Sequence, residues 1–272
     1  MSFASTYFLY DNEQNIDYGV YLVHLETGFY PSPASGSKNI ISEKNPFRDT
    51  PYFYRTELDL MKFSITLAPL DGTWIETTKF NLFKWLGNRT YKAFQSSDDL
   101  SKMCYCICTN PKEIYSVGIN GQFYLTLEFV ASSPYWFSMP EISTYDLSDI
   151  GSTPTTITME NRSNVPNVYG EYCYYPEVWV DLKSTCTGFS FTNLSNGGLQ
   201  HGFSGLTALE SLYINNDKKQ IISSISETTY RLNKMLYSYQ WFKLIYGVNQ
   251  IQVTLNSGGI VIQTRMQYPL YL

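Results

Sequence analysis

Cys104-Tyr105-Cys106-Ile107-Cys108 is the stretch whose residue types and spacing come nearest to chemistry. On a strand all three thiols face one way, and neighbouring Cα atoms lie about 7 Å apart at a rise of about 3.4 Å per residue. That separation discourages a disulfide between neighbours. It is also too wide for easy shared coordination of one zinc ion, which takes four ligands in structural sites. The spacing favours three small side chains buried on a core face, since free cysteine is among the most buried residue types. The five cysteines form no repeating framework, so reduced thiols are expected and no metal or cofactor is.

The other groups capable of chemistry are equally unorganised. Histidine occurs twice, as His24 near a strand end and His201 in a Gly197-Gly198-Leu199-Gln200-His201-Gly202 segment. A nucleophile–base system needs a base oriented by a third group, and nothing in the sequence links His201 to a nucleophile, so an exposed loop histidine is expected. Asp98-Asp99 follows two serines and reads as turn chemistry. Asp146 and Asp149 make no recognisable glycosidase pair. Phosphate-binding glycine loops and the common catalytic motifs are absent. A hydrolase is therefore a remote reading, and the chain is expected not to be an enzyme.

The composition points to another kind of work. There are 24 Tyr and 16 Phe, while charged residues make up only 16%. Aromatic residues suit pleated, half-buried surfaces, and tyrosine suits protein contacts because it offers large area with little rotamer entropy to lose. Few charges fit a subunit covered by partners. A net charge of −5 argues against tight binding to a phosphate backbone. There is no basic stretch followed by an apolar one after Met1, so no secretory leader is expected. No apolar run approaches the length of a membrane span. The glycosylation-type triplets at Asn88, Asn161 and Asn193 then read as chance matches.

These residues need elements to position them, and the expected elements are mostly strands. The strongest local signal is a hairpin over 113–129, in which Asn120-Gly121 separates two runs of β-formers. In its second arm Phe123, Leu125, Leu127 and Phe129 point one way, and Tyr124, Thr126 and Glu128 the other. Ser133-Pro134-Tyr135-Trp136-Phe137 then stops the ladder. Upstream, strands are expected over 18–23, 58–67, 90–95 and 102–108. One helix is expected over 74–86, opened by a Thr73/Glu76 capping box, with Ile75, Leu82, Phe83 and Leu86 on its apolar stripe and Gly87 at its end. The 31–51 segment, rich in proline and serine, reads as a long loop or an arm lying on a neighbouring subunit. Tyr52-Phe53-Tyr54 reads as the point where the core resumes. Phe47, Tyr52, Phe53 and Tyr54 are candidate subunit contacts of the anchoring kind, joined by Tyr124 and Glu128 on the outward face of the hairpin.

Ser138-Met139-Pro140 reads as a linker between two domains, 1–138 and 139–272. Beyond it come short strands at 155–159, 177–182, 188–192, 211–214, 219–223, 251–255 and 260–265, separated by turn signals. That pattern describes a β-sandwich. Residues 226–237 read equally as a short helix or a loop.

Two stretches resemble the distal tail protein of long-tailed phages, the hub subunit often called Dit. The first runs from Trp74 to Phe137. It contains Lys84-Trp85-Leu86 ending the helix, Tyr91-Lys92-Ala93-Phe94, the cysteine strand, Gly118–Phe129 and the Pro134-Tyr135-Trp136 stop. The second runs from Tyr213-Ile214-Asn215-Asn216 through Lys219-Gln220-Ile221 to Trp241-Phe242-Lys243-Leu244 and Gly247-Val248-Asn249-Gln250-Ile251. The resemblance implies a mainly β protein of two domains. The N-terminal one is a β-sandwich or split-barrel-like domain with one helix, and the C-terminal one a galectin-like β-sandwich. It implies a six-fold ring of the first domain, and as partners the tail tube protein, a tail-tip protein, the tape measure protein and receptor-binding or baseplate proteins. DNA would pass the lumen without specific binding. The place implied is the virion tail tip, after assembly in the host cytoplasm and away from any membrane. The His, Asn, Arg and Trp set of sugar-binding galectins has no ordered match, so that role is not carried over. The alternative is a lectin-like module for a host surface polymer, with Trp179, Tyr174 and Tyr175 as stacking platforms.

Overall fold

The structure, a computed structural model, describes residues 7–23, 35–115, 123–167, 171–225, 231–236 and 240–271. Met1–Ser138 with Leu270–Leu272 make one compact unit, and Met139–Pro269 make the other. The chain thus returns to its first unit at the end, a placement the sequence leaves open.

In the first unit the elements are β1 (Phe8–Tyr10), β2 (Glu13–Gln14), a 3-10 helix (Asn15–Tyr18), β3 (Val20–Val23), β4 (Lys38–Glu43), β5 (Tyr52–Leu58) and β6 (Lys62–Pro69). Helix α1 (Glu76–Leu86), β7 (Lys92–Ser96), β8 (Lys102–Tyr115), β9 (Phe123–Ala131) and β10 (Trp136–Ser138) follow. One sheet runs in the order β2-β1-β7-β8-β9-β6-β3, with antiparallel pairs throughout that path. The last strand, β22 (Pro269–Leu270), pairs β10, which also pairs β8. The expected strand over 102–108 and the first arm of the expected hairpin are one strand, β8, with an irregularity between Cys108 and Asn110. The Asn120-Gly121 turn lies outside the described residues, as do His24, 31–34, 226–230 and 237.

The core of this unit gathers Leu125, Leu127 and Phe129 of β9, Cys104 and Cys106 of β8, Phe63, Ile65 and Leu67 of β6, and Leu82, Trp85 and Leu86 of α1. Cys104 and Cys106 are buried thiols with no disulfide, and burial pushes the Cys106 thiol far above its ordinary range. The helix differs from expectation in three ways. It begins at Glu76, its N-cap is Ile75 with no side-chain cap, and its inward stripe is Leu82, Trp85 and Leu86. Thr73 stands before the helix and closes no capping box. Ile75 and Phe83 face outward, with Phe80. The reason is Trp85. Its ring lies 4.4 Å from that of Tyr18 at an interplanar angle of 9°, 5.6 Å from Phe8 and edge-on to Tyr10 at 5.8 Å. Its indole Nε1 donates to the Tyr10 carbonyl at 2.9 Å. The largest ring sets which face turns inward, because indole brings both the most area and a polar atom that needs a partner.

Residues 35–51 do not form a long loop. Lys38–Glu43 is strand β4, paired antiparallel with β5 as a two-stranded hairpin of its own. Tyr52, Phe53 and Tyr54 are exposed within β5. The core resumes at Met61 and β6.

The second unit holds β11 (Glu141–Leu147), β12 (Thr155–Asn161), β13 (Cys173–Tyr174), β14 (Glu177–Lys183), β15 (Phe189–Asn193), β16 (Leu199–Phe203) and β17 (Ser211–Asn215). It continues with β18 (Gln220–Ser223), β19 (Leu244–Ile245), β20 (Gly247–Leu255) and β21 (Gly259–Met266). Two sheets, β11-β21-β14-β17-β18 and β12-β20-β15-β16, each bury alternate residues, as β14 shows with Val178, Val180 and Leu182 inward. Asn161 and Asn193 are fully buried and hydrogen-bonded through their amides, which removes two of the glycosylation-type triplets. Arg231–Lys234 is a short 3-10 helix.

His201 corrects an expectation. It sits in β16, only 2% exposed, and its Nδ1 donates to the Gln240 carbonyl at 2.7 Å. The Gly197-Gly198 pair belongs to the turn, and the strand begins directly after it. Gly202 allows this strand to lie close, since a Cβ there would meet the Phe189 carbonyl at 2.6 Å.

Two outcomes follow from these contacts. Trp85→Ala should cost about 3–5 kcal/mol in denaturant unfolding, the largest loss of any substitution in α1. Burial holds the His201 imidazole at about 4, below the ordinary 6.5. The unfolded chain therefore takes up a proton near pH 6.5 that the native state refuses until near pH 4. The stability tied to His201 is complete above that window and falls as pH drops through it, by about 3 kcal/mol in all. His201→Asn, which keeps a donor toward Gln240, should flatten the difference between unfolding free energies measured at about pH 7 and pH 4.5.

Candidate assembly surface

The β4–β5 hairpin presents both of its faces to solvent, with every residue of β4 exposed and every residue of β5 exposed but Leu58. Its register pairs Ile40 with Thr56, Ile41 with Arg55 and Ser42 with Phe53, and it shifts at Tyr54. Cross-strand partners share a face. Ile40 and Phe53 therefore lie on one side with Lys38, Ser42, Thr56 and Leu58. Asn39, Ile41, Glu43, Tyr52, Arg55 and Glu57 hold the other, with Tyr54 at the shift, and this face is laced with polar contacts. Tyr54 Oη donates to Glu43 Oε2 at 2.5 Å, which raises the phenol's pKa, and Arg55 Nε donates to Glu57 Oε1 at 2.8 Å. At the tip Asn45 Oδ1 accepts the Phe47 N–H at 3.0 Å. Arg48 lies over the Tyr52 ring at 5.3 Å and donates to Tyr52 Oη at 2.9 Å. Phe47 itself is 94% exposed, Ile40 69% and Phe53 64%.

An isolated two-stranded hairpin is marginal in water, and this one is anchored at its root. Asp59 Oδ2 accepts from Ser37 Oγ at 2.9 Å and Asn39 Nδ2 at 2.8 Å, while the Asp59 N–H donates to the Ser37 carbonyl. The Gly36 N–H donates to the Pro134 carbonyl at 2.8 Å. A Cβ on Gly36 would stand 1.8 Å from the Asp59 carbonyl oxygen, so only glycine permits the two chains to meet there. Tyr271, following β22, packs edge-on to Tyr135 at 5.0 Å, and Lys38 lies over its ring at 5.4 Å.

Of the sequence-derived contact residues, the hairpin brings together Phe47, Tyr52, Phe53 and Tyr54. Tyr124 and Glu128 are elsewhere, half-buried on the face of β9 opposite the core. Between them Thr126 Oγ1 meets Thr66 Oγ1 at 3.0 Å. Sequence reasoning missed Ile40 and Ile41, although two β-branched residues ahead of an Asn45-Pro46 turn signal a strand. It also assigned Ile75 and Phe83 to the core, where α1 in fact leaves them outside with Phe80, 69% exposed. Among the described residues no cluster of three or more His, Cys, Asp or Glu could hold a metal ion, and no helix is long and apolar enough to cross a membrane.

Residues 3–131 match a family model described as a phage tail protein N-terminal domain. No curated protein matches the chain in sequence. Solved structures match it over nearly its whole length. The Dit protein of phage SPP1, described as a paradigm of hub adsorption apparatus in phages infecting Gram-positive hosts, is similar with a TM-score of 0.66. Identity is 15%, with 96% of this chain and 98% of that one covered. Chains of the phage P2 baseplate in its activated conformation are similar at 0.50 with Ca and 0.51 with Sr. Their identities are 10% and 11%, covering 96% and 97% of this chain and 98% of each of those. The first unit thus matches a phage tail protein N-terminal domain, and the whole chain has the two-domain β fold of the solved Dit protein.

Proposed function

We propose that this chain is a non-enzymatic hub subunit of the distal tail, assembling through its first unit into a closed, six-membered ring. The single observation that supports this best is the β4–β5 hairpin. It is tied at its root by hydrogen bonds, yet it exposes Ile40, Phe47 and Phe53, which no other described residue covers. Exposed apolar groups gathered on one element mark an interaction site. A ring of identical subunits uses two different, complementary surfaces, and the contact returns on itself when the rotation closes. The hairpin is the inserting surface. The outward strip of α1, with Ile75, Phe80 and Phe83, is a receiving surface of matching character. Tyr124 and Glu128 face a neighbour or the channel. The partners of the ring are the tail tube, a tail-tip protein, the tape measure, and baseplate or receptor-binding proteins, with DNA passing the channel unbound. On this reading the protein is a virion component assembled in the host cytoplasm.

Mass measured by light scattering on the full chain tests the ring. Ile40→Asp with Phe53→Asp should shift the species to monomer, with association weakened by at least about 30-fold if either is an interface anchor. Their unfolding free energy should stay within about 0.5 kcal/mol of the parent, since both are exposed. An unchanged mass would refute the hairpin as the contact. Gly36→Ala should cost about 1–3 kcal/mol through the clash with Asp59 and speed amide exchange in β4 and β5 ahead of the core strands.

A further inference from the structure

The second unit contains a cleft lined by none of the residues of the β4–β5 hairpin. Its volume is about 340 Å³, within the roughly 300–1,000 Å³ of small-molecule sites. Tyr175 and Trp241 supply aromatic walls, and Asp217, Lys219, Gln240 and Lys243 supply its polar groups.

The cleft is a built feature. Asn216, 1% exposed, donates through Nδ2 to the Pro176 carbonyl at 2.7 Å and accepts the Phe242 N–H on Oδ1 at 3.0 Å. One buried amide therefore ties together three segments: the chain at Tyr175, the turn bearing Asp217 and Lys219, and the chain at Trp241 and Lys243. The turn is closed by Asn215 Oδ1, which accepts the Lys218 N–H at 2.8 Å, and Lys219 adopts a φ of 55°. From beneath, His201 fixes the Gln240 carbonyl, and its ring lies 6.3 Å from that of Trp241. Backbone held this way needs little ordering when a ligand arrives, which favours affinity in a small site.

The chemistry of the walls selects the ligand. Lys219 and Lys243 are balanced by Asp217 and by Glu171, whose Oε2 lies 3.6 Å from Lys243 Nζ. The formal charges cancel, so the cleft favours neither anion nor cation. Aromatic faces beside both donors and acceptors suit a molecule with an apolar C–H face and a hydroxylated edge. We propose that this cleft binds a neutral saccharide, with one pyranose ring against Trp241 and Tyr175 and its hydroxyls bonded by Asp217, Gln240 and the lysines. This goes beyond the hub role and uses none of the hairpin, so its failure leaves the ring untouched. It also differs from the stacking platforms of the lectin-like alternative. Tyr174 Oη accepts the Gln267 N–H at 2.9 Å and its ring packs 5.0 Å from Tyr268, while Trp179 pairs with Tyr213 at 4.9 Å. Of the three, only Tyr175 lines the cleft.

The test titrates the full chain with glucose, galactose and N-acetylglucosamine, read by tryptophan fluorescence and proton saturation transfer. At least one should bind with a Kd on the order of 1–10 mM, the strength of a few hydrogen bonds and one stacked ring. Trp241→Ala should weaken that sugar at least about tenfold. Asp217→Ala, on the exposed turn where folding is not at stake, should weaken it about three- to tenfold, and Trp179→Ala should leave it unchanged. Three results would overturn the proposal. One is no binding of any of the three at about tenfold above that Kd range. The second is glucuronate or glucosamine binding at least about tenfold tighter than every neutral sugar. The third is loss of binding in Trp179→Ala with Trp241→Ala unaffected.

Discussion

The first unit depends on how one indole is satisfied. Trp85 is almost fully buried, and an indole N–H buried without a partner would cost on the order of 1–3 kcal/mol. The partner it finds is the Tyr10 carbonyl, on a strand 75 residues earlier in the chain. That bond fixes the rotation of α1, and the rotation decides which of its apolar residues are covered. Tyr18, stacked flat on the same ring, holds the 3-10 helix against it. Asn15 at the head of that helix donates to the Val20 carbonyl and accepts the Phe8 N–H, so β1 and β3 are bridged by the same short segment. Helix, turn and two strands are positioned by a few side chains, and the sheet is left with one face covered.

A sheet covered in this way can carry a projecting element without loosening. The root of the β4–β5 hairpin is made of backbone approach at Gly36, a shared carboxylate at Asp59 and aromatic packing at Tyr135 and Tyr271. Its tip and faces carry surface contacts such as Arg48 over Tyr52, and every residue of β4 and β5 but Leu58 stays exposed. Rigidity at the root with apolar side chains beyond it is what a docking element needs, because affinity is lost when a segment must be ordered on binding. The return of the chain end matters here. Leu270 packs on the core of the first unit and Tyr271 under Lys38, so the last residues of the chain brace its most exposed element.

Much of the architecture was legible because period-2 alternation reports burial directly. Leu125, Leu127 and Phe129 are core residues, as is the Cys104 and Cys106 pair. Six of the seven strands expected in the second unit lie within two residues of their bounds, while β11, β13, β16 and β19 are outside the expected set. The misreadings share a cause, which is that residue type was taken for environment. Aromatic residues at Tyr52-Phe53-Tyr54 favour a strand, and they form one, but strand propensity does not say which strands have a core behind them. The Thr73/Glu76 spacing fits a capping box, yet the helix starts where tertiary packing of Trp85 puts it. His201 looked exposed because two glycines precede it, whereas glycine there ends one turn and, at Gly202, permits a close strand. The pairing of β22 with β10 joins residues more than 130 positions apart, and no local pattern encodes it.

The tyrosine content, ambiguous as a composition, resolves into two populations once burial is known. Tyr10 and Tyr268 are core residues and Tyr174 is half-buried; the hydroxyls of all three reach backbone groups, and burial pushes all three phenols upward in pKa. Tyr52, Tyr54, Tyr91, Tyr172 and Tyr246 stand in solvent. The first population substitutes for the leucines and valines of an ordinary core while adding directional bonds. The second adds apolar area to a surface with few charges to solvate it. Such a surface is tolerable on a free monomer only where its apolar groups are scattered. Here many are scattered singly, as at Tyr91, Tyr172, Leu209 and Val248, while the β4–β5 hairpin gathers Ile40, Ile41, Phe47, Tyr52, Phe53 and Tyr54 on one element.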